Sequence, residues 1–327
     1  MKNNIETKKY KILLLDGTNF FIKHYFGNKS IDSFGVICGG LVGFILGLKN
    51  LISENVPDEI IIVFDGANNS KRKRKVDESY KKGRKTSYVD INPQDNEKIF
   101  DKQLSKLYTF LNYTPIKVFN MENVEADDVL GYLLYLINKL DDTFEINIVS
   151  NDNDFYQFIN ENTIVIDHKK KQIIDLISFE EEYGFKAYNY HIYKALAGDH
   201  TDNVKRIFNK KKIFELFNDI LQSERVYHIT EVENYIKEKN IEIDLDKFRN
   251  NYSLVNLHES NIGLNTKQLI SEKLKNISNK SYGLTNLKVM IKVYGIENFI
   301  YSDFFTYMNF FKLKNNKFTE YFSKLIE

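Results

Sequence analysis

Short apolar runs alternate with longer stretches of helical periodicity through the first half of the chain. Residues 11–15, 59–64 and 146–149 are short, mostly apolar runs of strand length, as strands buried on both faces would be. Residues 115–119 read as another strand, and 163–166 with 172–175 as a strand pair. Helical spacing covers residues 20–25, 36–55, 93–112 and 127–140, with a short helix at 155–159. In the second of these, Gly39, Gly40, Gly43 and Gly47 predict close approach to a neighbouring element. From Ser178 onward nearly every pattern is helical. Alternating strands and helices followed by helices predict an α/β fold with a central, mostly parallel sheet. The expected division is an α/β domain at 1–177 and a helical C-terminal subdomain at 178–327.

Composition narrows this only modestly. At 327 residues, 43% hydrophobic and 28% charged, the chain has material for a sizeable soluble core. A net charge of +1 means that attraction to a polyanion must come from local patches. The single cysteine, Cys38, excludes an internal disulfide framework and a cysteine-based zinc site. The first nine residues are polar and charged, unlike a secretory signal, and the longest mostly apolar run, 34–48, is short for a membrane span. These features predict a cytoplasmic protein. One segment changes character: residues 70–85 hold Lys71, Arg72, Lys73, Arg74, Lys75, Lys81, Lys82, Arg84 and Lys85. Few side chains there suit a core, so the segment is expected to be exposed and mobile.

Carboxylates carry the chemistry. Asp16, Asp65 and Asp152 each lie at or just past the end of an apolar strand. If those strands are parallel, the three meet at one sheet edge, where ligand sites of open α/β folds form. The strand at 115–119 leads to Glu125, Asp127 and Asp128 at the same edge, and Asp154, Asp199 and Asp202 follow. Nine gathered acids would repel one another and resist ionisation unless cations joined them. Hard divalent ions with oxygen ligands suit such a cluster, and two of them about 3.5–4 Å apart can activate water and stabilise a leaving oxygen. Two plainer readings stay open. The acids at 125–128 also suit the first turn of a helix, and aspartates are common in loops after strands.

The ordered set Leu15-Asp16-Gly17-Thr18-Asn19, Val63-Phe64-Asp65-Gly66, Tyr80-Lys81 with Arg84, Glu125-Ala126-Asp127-Asp128, Ser150-Asn151-Asp152-Asn153-Asp154 and Gly198-Asp199-His200-Thr201-Asp202-Asn203 resembles the 5′-nuclease superfamily. That superfamily includes flap endonucleases, the 5′-to-3′ exonuclease domain of bacterial DNA polymerase I and phage 5′-nucleases such as phage RNase H. The resemblance spans roughly residues 10 to 300 and implies a PIN-like fold with a helical arch at about 68–92. It implies two Mg²⁺ ions, with Mn²⁺ as a substitute. Asp16, Asp65, Glu125, Asp127 and Asp128 would hold the first ion. Asp152 would lie close to both, and Asp154, Asp199 and Asp202 would hold or orient the second. Lys81 and Arg84 match residues that grip the scissile phosphate, so Lys81, Arg84 and Asp152 are the catalytic candidates. Arg72, Arg74, Lys81, Lys82, Arg84, Lys205, Arg206, Lys210, Lys211 and Lys212 are the candidate nucleic-acid contacts.

The implied activity is a 5′-to-3′ exonuclease and flap endonuclease that cuts DNA and RNA primers in replication. Its substrates would be flap, forked or nicked duplexes and RNA–DNA hybrids. Its protein partners would be of the single-strand-binding or clamp kind. A monomer is expected, active in the cytoplasm of a bacterial host if phage-encoded. Phe20, Phe21 and Tyr25 are candidates for a base-stacking surface, with core packing as the competing reading. One departure from the family is the stretch 204–213, which lacks the glycines of the usual duplex-binding hairpin. Its five cations would hold phosphates by side-chain charge instead, making binding depend less on potassium and more on ordinary salt. The alternatives are a structure-binding replication protein without strong catalysis, a phosphatase using Asp16, and a PIN-type ribonuclease. The phosphatase wants a second aspartate where Leu14 stands.

Overall fold

A computed structural model of the chain describes residues 9–71, 73–81, 93–139, 144–259, 262–276, 283–295 and 304–309. Six strands form one sheet: β1 (Tyr10–Asp16), β2 (Glu59–Phe64), β3 (Lys117–Asn120), β4 (Phe144–Val149), β5 (Thr163–Asp167) and β6 (Gln172–Ile174). Their order is β3-β2-β1-β4-β5-β6. The first five are parallel, and β6 returns antiparallel to β5. This is the mixed, mostly parallel sheet expected. The strand order reverses beside β1, between β2 and β4, and a crevice for ligands forms at such a switch point.

Alternate residues of the central strands enter two separate cores. Ile12, Leu14, Ile61, Val63, Ile146 and Ile148 face one, which also holds α5 (Ala126–Asn138), α6 (Leu176–Tyr183) and α7 (Tyr190–Ala197). The same core takes in α8 (Lys210–Leu221), α9 (Ile229–Glu238), α10 (Leu245–Val255) and α11 (Leu264–Asn276). Leu13, Leu15, Ile60, Ile62 and Phe64 face the other, with α1 (Gly17–Gly27), α2 (Gly39–Asn55) and α4 (Pro93–Asn112). Leu287 and Ile291 of α12 (Leu284–Val293) and Phe304 bury here as well. The strands therefore need apolar side chains on both faces, which is why they read as mostly apolar runs rather than alternating ones.

Several element boundaries differ from the pattern. The second helix starts at Gly39 rather than 36, because residues 31 and 37 pair in a small loop whose Asp32 carboxylate accepts from the Phe34 and Val36 amides. The segment after Asp152 is a 3₁₀ turn, Asn153–Phe158. The α2 glycines do mark close approach: a Cβ on Gly43 or Gly47 would come within 2.9 or 2.7 Å of the His24 ring. Phe20 and Phe21 are core residues at 2% and 0% exposure, and half-buried Tyr25 packs on Phe21 and Phe100. The two phenylalanines are thus not a surface for a base. No helix among the described residues is long and apolar enough to cross a membrane.

At the strand starts, Glu59 and Lys117 form an ion pair with both side chains buried. Removing one partner would strand a charge in the core. Lys117→Met is expected to lower unfolding free energy by about 3–5 kcal/mol, measured by urea denaturation. The double Glu59→Met/Lys117→Met variant should recover most of the loss, and a single-variant loss below about 1 kcal/mol would contradict the assignment.

Candidate active site

Local hydrogen bonding fixes each acid where its strand ends. Asp16 closes β1 and caps α1, its Oδ1 accepting from the Asn19 amide at 3.1 Å. Its Oδ2 accepts from Ser150 Oγ at 3.0 Å, and the same Oγ accepts from the Asp152 amide at 3.1 Å. Ser150 thereby joins the ends of β1 and β4. Asp152 caps the 3₁₀ turn by accepting from the Asp154 amide. Asp65 follows β2, and its Oδ1 accepts from the Ala126 amide at 2.8 Å, the first amide of α5. Its own amide donates to Thr18 Oγ1 at 2.7 Å.

Glu125 is the N-cap residue of α5, and Asp127 and Asp128 occupy its first turn. The helix-start reading of these acids and the ligand reading are therefore compatible. One oxygen from each of the three lies within 4.8 Å of the others. Asp154 pairs with Lys194 of α7, and Lys194 reaches Asp199 at 2.5 Å. Asp199 and Asp202 sit on a tight loop closed by two backbone hydrogen bonds between Asp199 and Val204. Gly198 enters that loop at φ 74°, and a Cβ there would lie 2.6 Å from the Arg206 nitrogen.

The basic segment holds the main correction. It was expected to be exposed throughout, yet Lys73, in the short helix α3 (Lys73–Val76), is 2% exposed. Its ammonium lies 2.6 Å from Glu125, 2.9 Å from Asp127 and 3.8 Å from Asp128. The buried Tyr80 hydroxyl lies 3.1 Å from an Asp202 oxygen and 3.3 Å from a Glu125 oxygen, and its single proton is shared between them. Lys81 reaches Glu125 at 2.8 Å, and its amide donates to the Asp202 carbonyl. Carboxylates pull this strap inward, so sequence hydrophilicity misjudges it. Nothing in the basic run singles out Lys73, and Lys194 lies 40 residues from Asp154, although only five from Asp199. Arg74 is exposed. Arg72, Lys82, Arg84 and the arch residues 82–92 lie outside the described residues. Lys205, Arg206, Lys210, Lys211 and Lys212 are exposed, the last three in the first turn of α8.

Electrostatics divide the cluster. Burial, then the nearby Asp65 and Asp152 charges, push the Asp16 carboxyl up to about 8. Burial chiefly raises Asp65 too, with Asp127 and Glu125 adding to it. Asp154 rises to about 6, again mainly through burial. Burial also opposes ionisation of Asp127, but Lys73 and Lys81 outweigh it and hold the carboxyl at about 2. Lys194 and the Thr201 hydrogen bonds do the same for Asp199, at about 2. Among the described residues, no ammonium lies within ion-pair distance of Asp16, Asp65 or Asp152. An oxygen-only donor set with unneutralised, mutually repelling carboxyls fits a hard divalent cation.

The sheet topology, the acids at its C-terminal edge and the basic strap above them define an α/β fold with an acidic, oxygen-donor crevice. Residues 11–184 match the family model of the 5′-3′ exonuclease N-terminal, resolvase-like domain, and the chain belongs to that family. It is 29% identical over 296 residues to a 5′-3′ exonuclease of Buchnera aphidicola, covering 88% of this chain and 98% of that one. To a 5′-3′ exonuclease of Aquifex aeolicus it is 28% identical over 197 residues, covering 60% of this chain and 64% of the relative. A DNA polymerase I of Streptococcus pneumoniae is 30% identical over 206 residues, 60% of this chain but only 22% of the polymerase. Among solved structures, the T5 D15 protein co-crystallised with metal ions shares the fold, with TM-score 0.60, 15% identity and coverage of 97% and 100%. A T5 D15 flap endonuclease variant complexed with DNA and metal ions has TM-score 0.58 and 17% identity, covering 87% of this chain and 99% of that one.

The raised carboxyls set a pH signature for the metal-free protein. A carboxyl raised in the folded state favours folding while protonated, and that contribution is lost as pH climbs from its unfolded value through its folded one. Asp16 and Asp154 place the loss between about pH 4 and pH 8. In chelator, the stability of wild type relative to Asp16→Asn is expected to fall as pH climbs through this window; the buried histidines held near 4, His24, His168 and His258, add an opposite, rising contribution below about pH 6.5 that is common to both proteins. A wild-type-minus-variant difference that is flat or rising from pH 5 to 8 would contradict the site electrostatics.

Proposed function

We propose that this chain is a metal-dependent 5′-to-3′ exonuclease and structure-specific flap endonuclease. It hydrolyses DNA and RNA-primer phosphodiesters during replication and primer removal, with RNase H activity on RNA–DNA hybrids. The observation that carries this reading is the meeting of acids from β1, β2, α5, the β4 turn and the 199–202 loop under a strap carrying Lys81. Asp16, Asp65, Glu125, Asp127 and Asp128 would hold one Mg²⁺, and Asp152, Asp154, Asp199 and Asp202 would hold or orient the other. Bound there, two divalent ions lower the pKa of a water and offset charge on the leaving oxygen.

The chain's own residues do the positioning. Ser150 keeps Asp16 and Asp152 in register. Lys73 and Lys194 keep neighbouring acids from repelling one another apart. Lys81 and Arg84 grip the scissile phosphate, Lys81 exchanging its contact with Glu125 for the substrate. The arch at about 68–92, including Arg72, Arg74 and Lys82, guides the 5′ strand. Helices α6 to α11, the described part of the proposed C-terminal subdomain at 178–327 that shares one core, would bind duplex, while α12 packs against α4 and the other sheet face. There, Lys210, Lys211 and Lys212 add their charge to the positive end of a helix dipole, an arrangement that favours a phosphate. The protein acts as a cytoplasmic monomer, in a bacterial host if phage-encoded, beside single-strand-binding or clamp proteins.

A labelled 5′-flap duplex and an RNA–DNA hybrid, incubated with Mg²⁺, test the reading. Wild type is expected to cleave both, and Asp152→Ala to lower kcat at least ~100-fold. Flap binding without cleavage in Mg²⁺ or Mn²⁺ would favour a structure-binding protein instead. Duplex affinity should depend steeply on salt. Replacing Lys210, Lys211 and Lys212 together should reduce the slope of log K against log salt by about 2–3. An unchanged slope would remove α8 from the interface.

A further inference from the structure

Asn251 lies on the buried face of α10, three and four residues from the core side chains Phe248, Leu254 and Val255, and is 5% exposed. A buried amide in mid-helix calls for a reason. Asparagine is a poor helix former, and an amide taken out of water is costly unless it is bonded. Here both amide hydrogens have acceptors. Asn251 Nδ2 donates to the Ala195 carbonyl and to the Lys205 carbonyl, each at 2.8 Å.

Those two carbonyls stand on opposite sides of one neck. The last turn of a helix leaves carbonyls without helical partners, and at the end of α7 they are satisfied from outside. Ala195 accepts from Asn251, Leu196 from the Ile207 and Phe208 amides at 2.9 and 3.0 Å, and Ala197 from Arg206 Nε at 3.3 Å. On the returning side, the Lys205 carbonyl accepts from Asn251 and the Arg206 carbonyl from Lys247 Nζ at 2.9 Å. Asn251 thus bonds both sides at once, from a third element. What the neck carries is the loop of Asp199 and Asp202, closed by the backbone bonds between Asp199 and Val204 at 2.9 and 2.8 Å. The far end of α10 makes a matching contact. Gln157, 1% exposed, donates to the Val255 carbonyl at 3.1 Å and to the Asp154 carbonyl at 2.6 Å, and its Oε1 accepts from the Leu257 amide at 2.9 Å. One helix is therefore tied to the Asp154 turn through Gln157 and to the Asp199–Asp202 loop through Asn251. Lys194, one residue before Ala195, pairs with both Asp154 and Asp199.

We propose that Asn251 is a positioning residue for the ligands of the second ion: by holding Ala195 and Lys205 to α10, it sets where Asp199 and Asp202 stand relative to Asp154. This rests on the two-ion reading of the site. Asn251 touches no reacting atom and acts through the backbone that carries the acids. Its part is donation rather than bulk, because a leucine of similar volume would fill the space and leave two buried carbonyls without partners. Residues that hold metal ligands in place from behind typically cost about 10–100-fold in metal affinity when they are removed.

Two variants of the full chain test this without cleavage. Asn251→Leu removes both donors, and the milder Asn251→Ser keeps one, with shorter reach. Amide hydrogen exchange in chelator reads the loop with no metal present. In Asn251→Leu the Asp199 and Val204 amides are expected to exchange at least ~10-fold faster than in wild type, and by a larger factor than the amides of β1, with Asn251→Ser intermediate. Calorimetric titration with Mn²⁺ should then show one of two sites losing about 10–100-fold in affinity while the other is unchanged. Equal acceleration of the loop and β1, or a Mn²⁺ isotherm in both variants identical to that of wild type, would make Asn251 a packing residue and overturn the proposal. A wild type that binds no Mn²⁺ would overturn the two-ion reading and this proposal with it, so the two failures are told apart by which protein shows them.

Discussion

Like-charge repulsion between buried carboxylates is the constraint on which this architecture depends. Glu125, Asp127 and Asp128 crowd together at the start of α5, and Asp16, Asp65, Asp152 and Asp154 act on one another and on them, so their charges oppose folding unless something neutralises them. The protein supplies part of that neutralisation itself. Lys73 serves Glu125, Asp127 and Asp128, and Lys194 serves Asp154 and Asp199. Asp16, Asp65 and Asp152 have no such partner among the described residues, and burial keeps the Asp16 carboxyl near 8. The unpaid charge is concentrated where β1, β2 and β4 end, which is where the proposed ions are needed.

The fold answers a geometric problem as well. A parallel sheet sends every strand end to the same edge, and the order reversal beside β1 opens a crevice there. Capping then converts strand ends into fixed ligands. Asp16 caps α1, Asp152 caps the turn after β4, and Asp65 receives the first amide of α5. The same hydrogen bonds that terminate secondary structure orient the carboxylates. Stability and chemistry therefore rest on shared atoms at these positions.

Much of this was legible in the chain. Strands buried on both faces are continuous apolar runs, and acids placed just after them stand out, so the sheet and the acidic set could be read from residues 11–16, 59–65 and 146–152. The strap was not. Lys73 lies among five consecutive basic residues, 71–75, and only the tertiary position of Glu125, Asp127 and Asp128 selects it for burial. Lys194 was passed over for the same reason, because its partners lie 40 residues before and five after it. Phe20 and Phe21 misled in the opposite sense: aromatic residues near a site look like a base platform, while the helix carrying them turns both into the core.

In the proposed function, two divalent ions complete the neutralisation that Lys73 and Lys194 begin. Calorimetric titration of the metal-free protein with Mn²⁺ measures this directly. Two ions are expected to bind per chain, with proton release on binding as the raised carboxyls ionise. A chain that binds no ion at millimolar Mn²⁺, or that binds ions without releasing protons near pH 7, would contradict it.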